Sequence, residues 1–339
     1  MYHEKRIALV VPAHNEQRLI GSTLDGVPAL VDKVYVVDDA STDCTAGVVR
    51  ERSAGDGRVQ LIQHDKNRGP GAAIITGYKQ ALADGFDLVV VAGGDNQMPL
   101  DQMPLFLDPL IGGAADYTKG NRFMHRHYAM ANIPGIMPKT RLIGNALISS
   151  LTKIASGYYK IVDVVDGYTA INRDALETID WDKAWQGYGY PMDFLIRLNA
   201  YGFRVKDVPR RAIYLPGERQ SQIKGLRYAL RVSPMLVCGF FWRLWAKYIL
   251  WNFHPLVFFY LAGLILFPLG ILMGLWLVYE QAIGIGVSGP RAILDALLII
   301  TGLQFLLFAM MFDMQESLDL APMDRRATDR AQRGGNGLS

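Results

Sequence analysis

The sequence predicts an α/β domain with a mainly parallel, Rossmann-like sheet, followed by a C-terminal hairpin of two transmembrane helices. Two observations carry this prediction. Short β-branched runs alternate with helix-like segments over residues 1–222, and two long apolar runs come after them. A chain of 339 residues has room for one large domain or two modest ones.

The alternation is clearest in the first 91 residues. The predicted strands are Ile7–Val11, Val34–Val37, Val59–Ile62 and Leu88–Val91. The predicted helices between them are Gln17–Leu24, Thr42–Arg50 and Ala72–Ala83. Strands separated by helices of this length form βαβ units, so the sheet is expected to be mainly parallel.

The apolar runs are long enough to span a membrane. No Asp, Glu, Lys or Arg occurs from Tyr248 to Tyr279, and the second run, about 292–312, contains only Asp295. Within 253–314 we predict spans at about 255–279 and 292–312. A buried helix of a soluble core is the alternative, but such a helix is rarely so long and so uniformly apolar.

Basic residues predict how this hairpin is oriented. They flank both runs on the outer sides, whereas the loop between the runs carries only Arg291. Lys and Arg favour the cytoplasm, so both termini and the α/β domain are expected there, at a bacterial inner membrane. The chain begins MYHEKR and runs directly into a strand, which does not resemble a signal peptide.

Two further segments complete the predicted organisation. Residues 223–252 mix basic with apolar and aromatic side chains, which is typical of interfacial amphipathic helices. Packing on the soluble domain is the alternative for this segment. Residues 315–339 are polar and rich in Gly and Arg, and we expect a disordered cytoplasmic tail.

Composition excludes several classes of protein. Hydrophobic residues make up 50% of the chain, which excludes a disordered protein. The net charge of +3 argues against a nucleic-acid-binding protein. Cys44 and Cys238 are the only cysteines, so neither a disulfide framework nor a zinc site is expected.

Polar residues follow each of the four predicted strands. In an open α/β sheet the ligand binds outside the carboxyl ends of the strands. Those ends supply the His14 ring, the Asp39 and Asp95 carboxylates, and the N–H groups of a helix start at residues 71–73. Each has a structural alternative, since Asp39 can begin a turn and the glycines can be ordinary turn residues.

Taken in order, the motifs PAHNE, DDASTD, NRGPGAA and GGDNQMP resemble the nucleotide-sugar half of the family 2 glycosyltransferases, which have the GT-A fold. The motifs KGNRF, DVVDGY and YPMDF extend the resemblance to the polyprenyl-phosphate branch. That branch contains the dolichol-phosphate mannose synthases and the bactoprenol glucosyltransferases.

The resemblance implies a donor site and a metal site. His14 stands where the family often has Tyr beside the base, and Asp39 matches the carboxylate that hydrogen-bonds the base. Asp95 matches the last Asp of the Asp-x-Asp metal motif, and Gln97 follows it, so Mg²⁺ or Mn²⁺ is expected. The remaining residues implied in donor binding are Pro12, Glu16, Asn67, Gly71 and Gly94.

The resemblance also implies an acceptor site. Arg122 and Arg141 match arginines that bind phosphate, and Ser221 is expected to bind the acceptor phosphate with them. Asp163 and Asp193 match acidic residues proposed to act as base or to orient the acceptor. The alternatives are ion pairing of the arginines with acids such as Asp116, and helix capping or loop capping by the aspartates.

The sequence departs from the family at specific positions. Gly93 replaces the first Asp of the metal motif, so the protein's own metal ligands would be Asp95 and Gln97. Gln222 replaces a common Lys after Ser221. The QxxRW signature of processive synthases is absent, which argues against polymer synthesis.

The implied activity is inverting transfer of one sugar from a UDP- or GDP-linked donor to a polyprenyl phosphate at the cytoplasmic membrane face. Both a monomer and a homo-oligomer are compatible with it. Two alternatives stay open. One is transfer to a lipid hydroxyl such as that of diacylglycerol, which needs a true base. The other is a non-catalytic membrane scaffold that keeps a nucleotide-binding fold, suggested by Gly93.

Overall fold

The protein is described by a computed structural model for these residues: 1–124, 139–211, 213, 225–251 and 253–320. It comprises two compact units. The first contains the described residues from Met1 to Phe240 together with Leu320, and the second runs from Phe241 to Asp319.

The first unit is built on one seven-stranded sheet with the order β3-β2-β1-β4-β6-β5-β7. Its strands are β1 Ile7–Ala13, β2 Lys33–Asp38, β3 Val59–Gln63, β4 Leu88–Val91, β5 Tyr117–Asn121, β6 Thr169–Asn172 and β7 Val205–Pro209. Strand β6 runs antiparallel to both of its neighbours, and the other pairs are parallel. The predicted α/β class with a mainly parallel sheet is confirmed.

The helices of the first unit alternate with these strands. They are α1 Ile20–Asp25, α2 Thr45–Gly55, α3 Pro70–Ala83, α4 Met103–Ile111, α5 Lys139–Ser156, α6 Arg173–Thr178 and α7 Tyr190–Ala200. Helix α8, Gly225–Trp245, begins in the first unit and ends in the second. All four strands and all three helices predicted in the first 91 residues are present, with ends displaced by a few residues.

The central strands β1, β2 and β4 are buried on both faces. Successive residues of β1 point to opposite sides: Ala8 and Val10 join a core with α3, whereas Leu9 and Val11 join a core with α4. A parallel sheet covered by helices on both faces has strands that are almost uniformly apolar. This is why β1, β2 and β4 can be recognised in the sequence.

The reversed strand β6 brings further loops to the ligand-binding edge. Thr169, the first residue of β6, pairs with Val91 at the end of β4 and with Lys119 near the end of β5. Asn121 pairs with Pro209 at the end of β7. The segment before β6 and the residues after β5 and β7 therefore lie at the same edge as the loops after β1 to β4.

The second unit contains helices α9, Leu256–Ala282, and α10, Gly289–Asp319. Both are long and apolar enough to cross a membrane. They extend beyond the predicted limits, and α10 includes residues 315–319, which were predicted to belong to a tail. The rest of that tail, from 321 onward, lies outside the described residues.

A buried ion pair explains part of the extra length of α10. The Arg243 guanidinium donates to both oxygens of Asp313 at 2.8 and 2.7 Å, and the Tyr248 hydroxyl donates to the same carboxylate at 2.7 Å. Removing one partner of such a pair leaves a buried charge uncompensated. The pair thus holds Asp313, which lies just past the predicted end of the second span, within α10.

Candidate active site

Asp39 follows β2, and its buried carboxylate holds the loop after β3 in place. Its Oδ1 accepts hydrogen bonds from the Arg68 N–H at 2.9 Å and from His64 Nδ1 at 2.8 Å. Its Oδ2 accepts one from the Gly69 N–H at 2.7 Å. Asn67 lies in the same loop and is exposed. The residue predicted to contact the base therefore also fixes the shape of the adjacent loop.

His14 lies beside Asp39, just after β1. Its Nδ1 is 2.9 Å from the Asp39 carbonyl oxygen, and because a carbonyl can only accept, Nδ1 carries the proton. The Gly94 N–H donates to the Pro12 carbonyl at 3.3 Å, which joins the loop after β4 to the loop after β1. Four residues predicted to bind the donor therefore lie close together: Pro12, His14, Asp39 and Gly94.

The rest of the loop after β1 is bonded to the loop that precedes α2. The Glu16 N–H donates to the Thr45 hydroxyl at 2.8 Å, and the Asn15 N–H donates to the Ser41 hydroxyl at 2.9 Å. Asn15 has a φ of 58°, a left-handed conformation that Asn tolerates. The PAHNE and DDASTD motifs therefore form one connected surface.

The start of α3 packs against the backbone of residues 185–187. A Cβ on Gly71 would lie 2.5 Å from the Trp185 carbonyl oxygen, so glycine is required by close approach. The Ala72 N–H donates to the Gln186 carbonyl at 3.1 Å, and the Ala73 N–H donates to the Gly69 carbonyl at 3.2 Å. Two of the three N–H groups predicted to hold negative charge are thus already bonded within the chain.

Tyr188, which follows the segment 185–187, lies near the candidate donor-binding residues. Tyr188 is near enough to Glu16 and Asp39 that their negative charges add to burial in raising the pKa of its phenol. Sequence reasoning missed Tyr188, because a single tyrosine in a loop carries no local signal. Its position makes it a further candidate for contact with the donor.

The predicted metal site consists of Asp95 and Gln97, after β4. Asp95 Oδ1 accepts a hydrogen bond from the Gln97 N–H at 3.2 Å, and burial raises the pKa of Asp95. A Cβ on Gly93 would lie 3.0 Å from that same Oδ1, so Gly93 leaves room beside the carboxylate. Among the described residues, no group of three or more His, Cys, Asp or Glu could hold a metal.

This donor set fits Mg²⁺ or Mn²⁺. Both are hard cations that prefer oxygen ligands, and Mg²⁺ commonly takes only one or two protein carboxylates, with substrate phosphates and water completing the shell. Within the described part of the chain, Asp95 forms no ion pair. A cation held there would compensate its charge.

Arg122 and Asp163, predicted as separate site residues, form a bidentate ion pair. Arg122 Nε donates to Asp163 Oδ2 at 2.7 Å, and Nη2 donates to Oδ1 at 3.0 Å. The Asp163 side chain is fully buried, whereas that of Arg122 is 29% exposed. Asp116, considered as a partner for Arg122, instead pairs with Arg204 at 3.0 Å.

Asp166 and Arg210 connect the Arg122–Asp163 pair to the loop after β4. That loop carries Asp95 and Gln97 and is called the metal loop below. Arg210 Nε and Nη2 contact Asp166 Oδ2 at 2.8 and 2.7 Å, and Arg122 Nε is 3.3 Å from the same oxygen. Arg210 Nη1 also donates to the Gln97 carbonyl at 3.3 Å. Burial opposes ionisation of Asp166, but the charges of Arg210 and Arg122 outweigh it and hold the pKa below its usual value.

Lys119 and Asp207 lie close to the charged residues just described. The Lys119 ammonium donates to the Asp166 carbonyl, and burial lowers the pKa of Lys119. Asp207 Oδ2 accepts from Asn121 Nδ2 at 2.7 Å and from the Val162 N–H at 2.8 Å, while Oδ1 is buried without a partner. Burial raises the pKa of Asp207 to about 6.

Asp193 lies in the first turn of α7, where it holds the preceding loop. Its Oδ2 accepts from the Trp185 N–H at 2.8 Å and from Arg197 Nε at 2.8 Å. These contacts give Asp193 a structural role. Arg141 is in α5, where its side chain is not described, and Ser221 lies outside the described residues.

The residues that sequence reasoning missed are His64, Lys119, Asp166, Tyr188, Asp207 and Arg210. Arg210 could have been found by the rule that examines strand ends, but β7 was not predicted. Asp166 belongs to the DVVDGY motif, although only Asp163 was selected from it. His64 directly follows β3 and falls under the same rule, but its contacts with Asp39 and Thr76 become evident only in the folded chain.

The chain is similar in sequence to glycosyltransferases of known activity. A UDP-N-acetylglucosamine–dolichyl-phosphate N-acetylglucosaminyltransferase from Methanococcus voltae is 28% identical over 62% of this chain and 87% of its own. An undecaprenyl-phosphate mannosyltransferase from Micrococcus luteus is 30% identical over 60% of this chain and 82% of its own.

Among solved structures, glucosyl-3-phosphoglycerate synthase from Mycobacterium tuberculosis has a TM-score of 0.49 and 22% identity, covering 71% of this chain and 80% of that one. The profile of "Glycosyl transferase family 2" matches residues 8–180, which is just over half of the chain. This matched range contains the loops after β1 to β5 and the DVVDGY motif. The chain therefore belongs to glycosyl transferase family 2 and is a glycosyltransferase, as the sequence predicted.

Proposed function

We propose that the protein transfers one sugar from a nucleoside-diphosphate sugar to the phosphate of a polyprenyl lipid at a membrane surface. The observation that carries the proposal is a contact between two groups of residues. The charged residues around Asp166 touch the loop after β4, which carries the candidate metal ligands. Arg210 bonds both Asp166 and the Gln97 carbonyl, and Asp166 also contacts Arg122. A cationic group suited to phosphate therefore lies next to the candidate donor and metal loop.

The donor is held by the loops after β1, β2 and β4. His14 stacks on the base, Asp39 accepts a hydrogen bond from it, and Asp95 with Gln97 holds a divalent cation. When bound, that cation offsets the negative charge that develops on the departing nucleoside diphosphate. The names of the Methanococcus voltae and Micrococcus luteus relatives describe both as sugar transferases, and the first of them uses a UDP-linked sugar.

The acceptor phosphate is bound on the Arg122 side. A guanidinium offers a planar set of donors that matches phosphate geometry, and Asp163 holds two of them in a fixed orientation. Arg141 and Ser221 complete the phosphate site in this proposal. Because the acceptor phosphate is already ionised at neutral pH, Asp163 orients Arg122 rather than acting as a base.

The attacking oxygen approaches the sugar from the face opposite the leaving group, so the anomeric configuration is inverted. The apolar helices α9 and α10 anchor the enzyme in the membrane, where its lipid substrate resides. The basic residues that flank the two helices favour the cytoplasmic side for the α/β unit. A nucleotide-linked donor is soluble and the lipid acceptor is held in the bilayer, so a membrane-anchored enzyme suits this pair of substrates.

The test uses the full chain in detergent, undecaprenyl phosphate, Mn²⁺ and a panel of UDP- and GDP-linked sugars. Mass spectrometry of the lipid is expected to show a product heavier by one sugar residue, absent from Asp95→Asn and from samples with EDTA. A lipid that stays unchanged with every donor, while nucleotide still binds, overturns the proposal in favour of a scaffold.

A further inference from the structure

The hydrogen bonds that Asp39 makes within the chain limit which base it can recognise. A carboxylate has two oxygens, each able to accept about two hydrogen bonds. Oδ1 already accepts two, from His64 Nδ1 at 2.8 Å and the Arg68 N–H at 2.9 Å. Oδ2 accepts one, from the Gly69 N–H at 2.7 Å. One acceptor position is left, and it is on Oδ2.

Two of the three existing bonds, those from His64 and Gly69, have further contacts around them. His64 Nε2 lies 2.9 Å from the Thr76 hydroxyl, which donates to it when the ring is neutral, so that Nδ1 carries the proton that faces Asp39. A protonated ring also presents an N–H to Asp39. Gly69 has a φ of 96°, and a Cβ there would lie 2.7 Å from the Gln186 carbonyl oxygen, so the loop packs closely against the backbone of residue 186 where the Gly69 N–H meets Asp39.

The common bases differ in how many donors they offer to such a carboxylate. Guanine presents two adjacent donors, N1–H and N2–H, and its full recognition needs one free acceptor position on each oxygen. Uracil presents a single N3–H. Cytosine has an unprotonated N3 at that position and carries its donor on N4 instead, so a carboxylate placed for N3–H would face the lone pair of cytosine N3. A buried donor left without an acceptor weakens binding, because its bond to water is lost.

We infer that the donor is a uridine diphosphate sugar, and that His64 is the residue that sets this specificity by filling the second acceptor position on Asp39 Oδ1. This inference rests on the proposed function, since it takes Asp39 as the contact to the base. Uracil matches the single remaining position on Oδ2. Guanine would leave one of its two donors unpaired against a full Oδ1.

The test measures binding of the nucleotides alone, so it does not depend on the acceptor. Calorimetry of the full chain in detergent with Mn²⁺ is expected to give a dissociation constant for UDP about tenfold or more below those for GDP and CDP. Equal or tighter binding of GDP overturns the inference and leaves the transfer reaction untouched. Binding of UDP with no transfer to any lipid phosphate overturns the proposed function and leaves the inference standing.

Two variants test the role of His64 directly. His64→Phe keeps an aromatic ring but removes the donor, so Oδ1 regains an acceptor position and the preference for UDP over GDP is expected to fall by about tenfold. In His64→Asn the side-chain amide can take the place of Nδ1–H, and the preference is expected to stay within about twofold of the wild-type value. An unchanged preference in His64→Phe overturns the assignment to His64. If His64→Phe does not fold, the wild-type comparison of UDP, GDP and CDP still decides the base.

Discussion

Arg210 and Asp166 form a buried ion pair in which two guanidinium nitrogens contact one carboxylate oxygen, Nε at 2.8 Å and Nη2 at 2.7 Å. The two residues are 44 positions apart in the sequence. Their side chains are 6% and 0% exposed. This pair joins the segment before β6 to the residue that follows β7, and through the Gln97 carbonyl it reaches the metal loop.

Arg210→Ala is expected to lower the free energy of unfolding by about 3–5 kcal/mol, because it leaves Asp166 buried without its main partner. Transfer should be lost together with stability. The matched control is Arg211→Ala, whose side chain is 51% exposed and 3.5 Å from Asp101. That change should alter stability by less than about 1 kcal/mol. Thermal unfolding of both variants checks this, and equal effects would contradict it.

Arg122 and Asp163 are expected to act as a unit in transfer. Arg122→Ala and Asp163→Ala should each lower kcat/KM for the acceptor by about a hundredfold, since the first removes the guanidinium and the second removes its fixed orientation. The double variant should be little worse than either single one, which gives a coupling energy of about 1–3 kcal/mol. Initial rates for the four proteins measure it. Additive losses would show that the two residues act independently.

A base mechanism predicts a different pattern for the same residues. If the acceptor were a hydroxyl, Asp163→Asn would abolish the chemical step, because the proton would have no acceptor. With a phosphate acceptor, Asn keeps one hydrogen bond to Arg122, and we expect kcat to fall by about tenfold or less. Nucleotide binding in this variant should equal that of the wild type, and calorimetry with UDP serves as the control.

Asp207 makes the stability depend on pH with a defined sign. Burial raises the pKa of this carboxyl from 3.8 in the unfolded chain to about 6. The folded protein therefore holds the proton more tightly, and this group lowers stability as pH rises from about 4 to about 6. Asp207→Asn can keep the bonds to Asn121 and Val162 without the charge, so the variant should be more stable above pH 6 by at most about 3 kcal/mol.

The measurement is the difference in apparent Tm between Asp207→Asn and the wild type from pH 4.5 to pH 8. This difference should grow with pH and level off above about pH 6.5. The exposed Asp65→Asn serves as the control and should show no such trend. A difference that is constant, or that shrinks as pH rises, would contradict the assignment of the pKa to Asp207.

Gly71→Ala is expected to lower the free energy of unfolding by about 2 kcal/mol or more, because the new Cβ would strike the Trp185 and Gln186 carbonyl oxygens at 2.5 and 2.8 Å. Gly47→Ala is the control. Nothing lies within 4 Å of a Cβ at Gly47, so alanine within α2 should stabilise by about 0.5–1 kcal/mol. Chemical denaturation compares the two, and a tolerated Gly71→Ala would mean that the segment at 185–187 moves easily.

Strands β1, β2 and β4 could be predicted because they are buried on both faces and their side chains are almost all apolar. Val34–Val37 and Leu88–Val91 are continuous apolar runs of this kind. Strand β5 could not be recognised in this way. Its sequence is YTKGN, yet Lys119 and Asn121 are fully buried, since the first bonds the Asp166 carbonyl and the second bonds Asp207.

The candidate site shows the same limit. Asp39, His14 and Asp95 follow strands that the sequence reveals, so their common position at one edge could be predicted from topology. The partners of Arg122 could not, because the reversal of β6 is what brings Asp163 and Asp166 to that edge. Local patterns give no information on a strand that pairs antiparallel within a parallel sheet.

The choice of acceptor is the most direct test of the central claim, and it can be made in one competition experiment. The full chain, Mn²⁺ and the donor that binds best are mixed with equal amounts of undecaprenyl phosphate, undecaprenol and diacylglycerol, and the lipids are analysed by mass spectrometry. We predict that the sugar appears on undecaprenyl phosphate alone, joined through its phosphate. A sugar on undecaprenol or diacylglycerol, with the phosphate lipid unchanged, would contradict it.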